Sequence, residues 1–301
     1  MISPLDAAAQ AFLAGLDRIQ QRAETAQRQL TTGLKINDVS DAPADITDLW
    51  QTRSNLDQTK QIGSNLGGVQ TEVNTAESVL QNAVNLVERA QTLGAQGANG
   101  TSASTTRQDL ANELGSVLEQ LVNAANTTVD GRYIFSGDSD QGPAYSIDLT
   151  QSYPVSTYQG TPSTRLVQAP DGSTFQVALT AQQIFDNPNA PQNVFVSINN
   201  LRQALLKNDD PGITSSISDV QSAGVYLNQQ LAFYGMTQNR VAGSISFSQN
   251  YETQLQAQLS GIQDADAARA ITELTQAQTQ LQAAMVSRAQ LPRTSLFDFL
   301  A

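Results

Sequence analysis

The chain has 301 residues, with no cysteine, no histidine, 28 acidic against 16 basic residues and a formal charge of -12. Without cysteine there is no disulfide framework or thiolate metal site, and without histidine there is no Ser-His-Asp triad, usual zinc ligand or commonest general base. The acidic balance repels nucleic acid and anionic membranes, no apolar run approaches the roughly twenty residues of a membrane span, and the length leaves room for about two or three domains.

The opening MISPLDAAAQ carries neither a basic region nor a long apolar one, so a cleaved secretory signal is not expected. From there, Phe12, Leu16, Ile19, Ala23, Ala26 and Leu30 recur at alternating steps of four and three. That spacing puts them on one seam of a helix and predicts a helix from Pro4 to Thr32, with Gly33 as its left-handed cap. Lys35 to Ala44 reads as a turn. Ser40 or Asp41 is placed to cap the next helix, with Pro43 in its first turn and Asp45 complementing its dipole.

Val69, Val73, Ala76, Leu80, Ala83, Val87 and Ala90 extend that second helix to the turn at Asn99-Gly100. A third begins near Ser104 to Thr106, with Asp109 placed for a capping box and a stripe of Leu110, Leu114, Val117, Leu121 and Ala124. It stops at the turn dipeptide Asp130-Gly131.

Beyond Arg132 the period changes. Tyr133 to Phe135 and Tyr153 to Tyr158 are β-prone, and Thr164–Gln168 and Thr174–Leu179 flank Pro170-Asp171-Gly172-Ser173 as a hairpin. Prolines and glycines concentrate between Gly142 and Pro211. Ile198 to Leu206 returns to helix. A long helix follows, framed by Ile217, Val220, Leu227, Leu231, Tyr234, Val241 and Ile245, with a break at Gly261 to Asp264. A last helix runs from Asp264 or Asp266 to about Gln290, with Ile271, Leu274, Leu281 and Met285 on its seam.

The predicted class is mainly α: a long-helix bundle or coiled coil formed by the N- and C-terminal arms, with a small β-rich inserted domain. The segments are a terminal helix in 1–40, bundle parts in 41–131 and 211–262, the insertion in 132–210 and a second terminal helix in 263–301. The candidate assembly seam is Phe12, Leu16, Ile19, Leu30, Ile271, Leu274, Leu281 and Met285. A seam this rich in alanine and glutamine gains little from one partner helix and more from neighbouring copies. Phe297, Phe299 and Leu300 are candidates for docking onto a partner.

No catalytic, cofactor or metal residues are assigned. Asp264 and Asp266 read as helix-capping acids, and Asp138, Asp140 and Asp171 as turn acids. Calcium wants six to eight oxygens, and no loop supplies them.

Leu30-Thr-Thr-Gly-Leu-Lys-Ile-Asn37 with Ser40-Asp-Ala-Pro-Ala44, Arg89-Ala-Gln-Thr-Leu93, Ile262-Gln-Asp-Ala-Asp-Ala-Ala-Arg-Ala270 and the closing Leu291 to Leu300 resemble the flagellin superfamily. Gly131-Arg-Tyr-Ile-Phe-Ser-Gly137, Tyr158-Gln-Gly160 and Arg165 resemble the branch of it found at the hook–filament junction. Thr161 stands where that branch often has an acid, and Ala42 where the superfamily often has one. The resemblance implies a non-enzymatic structural subunit of the bacterial flagellum, extracellular and exported without a cleaved signal peptide. It implies self-assembly through the terminal helices, with a hook-associated protein, the filament flagellin and an export chaperone as partners, and no nucleic acid or membrane insertion. Two alternatives remain at this point. One is filament flagellin itself. The other is a carbohydrate-binding adhesin whose Tyr133, Tyr145, Tyr153 and Tyr158 stack on sugars.

Overall fold

The computed structural model describes residues 4–100, 102–188 and 193–290. Among these the chain is mainly helical, in the order α1 (Pro4–Thr32), α2 (Ile46–Gly97), α3 (Ser104–Ala125), β1 (Thr128–Val129), β2 (Arg132–Tyr133), β3 (Leu166–Gln168), β4 (Thr174–Gln176), α4 (Ala181–Phe185), α5 (Val194–Lys207), α6 (Asp210–Gln263) and α7 (Ala267–Gln290). It divides into two compact units, Thr59–Asn250 and Met1–Gln58 with Tyr251–Ala301. The division falls within α2 and α6.

The Thr59–Asn250 unit holds the main core. On α2, Leu80, Ala83, Val87 and Ala90 are buried at the predicted steps of four and three, and Leu93 continues the line. Leu114 and Leu121 of α3 and Val220, Leu227, Tyr234 and Val241 of α6 join them. The last four stand seven residues apart, the inward frame that the pattern predicts. α5 packs on α3 and contributes Ile198, Leu201 and Leu205 to the same core.

The insertion is poorer in strand than its alternation suggests. It holds two antiparallel pairs, β1 with β2 and β3 with β4, and the isolated bridge Ile147↔Val155. The expected strand from Tyr153 to Tyr158 is reduced to that bridge, with scattered backbone bonds to residues 144–148: the Asp148 N–H donates to the Pro154 carbonyl at 2.7 Å and the Ser156 N–H to the Ser146 carbonyl at 2.9 Å. On the facing stretch the Asn126 carboxamide donates to the Tyr145 carbonyl at 2.7 Å and accepts from the Tyr145 N–H at 3.1 Å, so a side chain occupies the backbone groups of Tyr145. Asp130 and Gly131, at φ 51° and 76°, form the tight left-handed turn between β1 and β2. Pro170 to Ser173 connects β3 and β4 as predicted, with Asp171 accepting from the Ser173 N–H.

Two caps differ from expectation. α3 has Ala103 at its N-cap with no side-chain bond, so Asp109 makes no capping box; it lies a full turn too far into the helix. α2 starts at Ile46, not at Ser40 or Asp41. The Asp41 carboxylate instead accepts from the N–H groups of Asn37 and Asp38, both at 2.9 Å, and these two bonds lower its pKa. Asp41 therefore holds the turn before the helix rather than the helix itself.

Candidate assembly surfaces

In the unit made of Met1–Gln58 and Tyr251–Ala301, α1 packs along α7. The pairing is antiparallel: the Arg288 guanidinium lies 5.4 Å from the Phe12 ring, Arg22 donates to Gln280 at 3.2 Å, and the Ala265 N–H donates to the Gly33 carbonyl at 2.9 Å. The seam is narrow. Its fully buried members are small, Ala26 on α1 and Ala270 and Ala277 on α7. Phe12, Leu16, Ile19 and Leu30 from α1, and Leu274 and Leu281 from α7, are half-buried along it.

Ile271 and Met285 lie elsewhere. They were expected in line with Leu274 and Leu281, but the inward line of α7 passes through Ala270 and Ala277, one residue away. Ile271 is 55% exposed and Met285 56%. The signal for the inward line was present in the seven-residue alanine spacing, but the two larger residues outweighed it. With Leu13 and Val286, also more than half exposed, they leave large apolar side chains uncovered on the outside of the pair. Phe297, Phe299 and Leu300 lie outside the described residues.

Backbone ties join the start of this pair to the long helices. Gly33 ends α1 at φ 73°. Leu34 and Asp264 then form an isolated antiparallel bridge, with the Lys35 N–H donating to the Gln263 carbonyl at 2.7 Å. The Gln263 side chain accepts from Arg53 at 2.7 Å. Asp266 caps α7, accepting from the Ala268 and Arg269 N–H groups at 2.9 and 3.1 Å. The turn after α1 and the break after α6 are thus one clasp, which fixes the register of α1 against α7. The sequence marked both breaks but not that they bond to each other.

The motif residues of the insertion are structural. Phe135 is fully buried and meets Tyr234 edge-on at 6.3 Å. Gly137, at φ 67°, sits against the Thr161 backbone, and Gly160 against the Ser136 carbonyl and the Tyr158 ring, so neither site has room for a Cβ. The Tyr158 hydroxyl lies within donating distance of the Phe135 and Thr161 carbonyls, at 3.2 and 3.0 Å. Arg165 and Arg132 both pair with Glu72 of α2, Arg132 at 3.5 Å, and so pin the insertion to the helical core.

The tyrosines do not form a sugar platform. Tyr145 is buried against Tyr158 and Phe195, at 5.7 and 5.1 Å. Burial pushes the hydroxyl pKa of Tyr145 well above its ordinary value, and that of Tyr158 to about 12. Only Tyr153 among the four is largely exposed, at 78%. The adhesin alternative finds no support. Among the described residues there is also no cluster of acids fit to hold a metal ion and no helix long and apolar enough to cross a membrane.

Comparison with known proteins agrees with this architecture. Residues 5–140 match the bacterial flagellin N-terminal helical region, and residues 217–300 match the bacterial flagellin C-terminal helical region. Flagellin A of Vibrio cholerae is 25% identical over 300 residues, covering 74% of this chain and 79% of that protein. Flagellar hook-associated protein 3 of Salmonella typhimurium is 23% identical over 315 residues, covering 95% of each. The solved structure of flagellar hook-associated protein 3 from Legionella pneumophila shares the fold, with a TM-score of 0.62 at 14% identity over 70% of this chain and 98% of that one. The two matched regions are the two helical arms, and together they take in well over half of the sequence: the chain belongs to the bacterial flagellin family, whose members are structural subunits of the flagellum.

Proposed function

We propose that the chain is the subunit that joins hook to filament, and that its role is assembly rather than catalysis. The observation that carries this reading is the set Phe135, Gly137, Tyr158, Gly160 and Arg165, which resembles the junction branch and closes the insertion onto the helical core, in a chain that matches a hook-associated protein 3 over 95% of both lengths; coverage alone does not decide, since Flagellin A of Vibrio anguillarum matches over 93% of this chain. The α1–α7 pair supplies the means. Its buried seam is small, and its outer face presents Leu13, Ile271, Met285 and Val286 to solvent. Apolar side chains left uncovered in one copy are covered when copies surround them, so the pair gains most of its stability in the array. Phe12, Leu16, Ile19, Leu30, Leu274 and Leu281 then hold α1 to α7, while Ile271 and Met285 face neighbours. Phe297, Phe299 and Leu300 dock onto a partner subunit or an export chaperone. The neighbours are a hook-associated protein and the filament flagellin.

Immunogold labelling of flagella tests the placement. The expected result is one short labelled zone at the base of the filament. Label along the whole filament would overturn the junction reading and favour a filament subunit, the reading that the match to Flagellin A supports.

A further inference from the structure

Helix α6 has two periods on its two faces. Its inward frame repeats every seven residues. On the outside, Val225, Met236 and Phe247 are 58%, 67% and 52% exposed and stand eleven residues apart. Eleven residues make close to three helical turns, so the three side chains lie within about 40° of one line along the helix, spread over about 33 Å. Ala232 and Gly243 fall on the same line. Arg240 borders it, with its guanidinium drawn to the Phe175 ring at 4.1 Å.

The charge pattern singles out the same stretch. The chain carries 28 acidic residues, yet none lies between Val220 and Tyr251, where Arg240 is the only charge. We infer that this outward line of α6 is a lateral contact between copies of the chain, a conclusion that rests on the assembly reading above. Two bodies of charge -12 repel over most of their surfaces. They meet at least cost along an apolar line to which α6 brings no acid, and where Asp171 of the β3–β4 turn is offset by Arg240 beside it. Ala232 and Gly243 let a neighbouring backbone come close, and the Met236 side chain adapts to an imperfectly matched surface.

The test uses the full chain in flagellated cells. A photo-crosslinking benzophenone amino acid is placed at position 236 in one strain and at position 285 in another. Isolated flagella are irradiated and the crosslinked peptides sequenced. The expected result is that position 236 captures a peptide of a second copy of this chain. Capture of a different protein at 236, or of nothing while 285 crosslinks, would overturn the α6 contact and leave the assembly reading standing. Silence at both positions would count against both. A second arm replaces Met236 with aspartate. Because Met236 is exposed, the isolated Met236→Asp chain should keep the parent melting temperature while its incorporation into flagella falls at least tenfold. Unchanged incorporation would refute the contact.

Discussion

Arg107 offers the sharpest energetic test of how the helical core is held. The residue is 5% exposed. Its Nε donates to the Gly97 carbonyl at the end of α2, at 3.0 Å, and its Nη2 meets the Asp210 carboxylate at the start of α6, at 2.5 Å. One buried guanidinium from the first turn of α3 therefore serves two other helix ends: as a cation it suits the C-terminal end of α2, and at the start of α6 it meets the Asp210 carboxylate, which suits that N-terminus. The two bonds should not be worth the same. A hydrogen bond from a charged donor to a buried carbonyl contributes about 1.5–3 kcal/mol. The Asp210 side chain is 65% exposed, and a pair so open to water contributes about 0–1 kcal/mol. Arg107→Met keeps much of the volume and should destabilise the unit by about 2–3 kcal/mol, lowering its melting temperature by roughly 5–10 °C. Asp210→Asn should cost less than about 1 kcal/mol. Urea unfolding followed by helical circular dichroism measures both. Equal losses, or an Arg107→Met loss below about 0.5 kcal/mol, would refute the claim that the Gly97 carbonyl is the contact that matters.

Three further outcomes follow from the geometry. Gly137→Ala forces a Cβ onto the Thr161 backbone at a left-handed φ and should cost about 1–3 kcal/mol, with faster tryptic cleavage after Arg132 and Arg165; unchanged cleavage would contradict the packing. Burial favours neutral Tyr158, whose pKa is about 12 in the fold against an ordinary value of 10. Its contribution is intact below pH 10 and is lost as pH rises through 10 to about 12, so stability should fall across that window, and Tyr158→Phe should reduce the slope by about one proton in urea midpoints taken against pH. Ala277→Glu puts a charge into the α1–α7 seam and should abolish their pairing, whereas Ile271→Asp should leave the pairing intact and block assembly; crosslinking between cysteines placed on α1 and α7 reads the first effect and pelleting of assembled material the second.

Most of the helical framework was readable from side-chain spacing, for a definite reason. Where a helix has one buried face, as in Val220, Leu227, Tyr234 and Val241, the burial pattern and the sequence period are the same thing. Gly33 and Asp130-Gly131 were readable because a left-handed turn favours few residue types. Three features were not. Asp41 holds its own turn instead of the following helix, a choice between two nearby sets of N–H groups that spacing does not distinguish. Ile271 and Met285 drew the seam one residue off its course, because hydrophobic size marks both a core and a surface awaiting a partner. The Glu72 bonds to Arg132 and Arg165, and the joining of Leu34 to Asp264, are contacts between distant segments with no periodic trace.

Amide hydrogen exchange on dilute monomer and on isolated flagella tests most directly whether the terminal helices are completed by neighbours. Residues 4–32 and 267–290 should exchange rapidly in the monomer, while α2, α3 and α6 within residues 59–250 stay protected, and the same terminal residues should become protected in the flagellum. Slow exchange of α1 and α7 in the lone chain, equal to that of the core helices, would contradict the account.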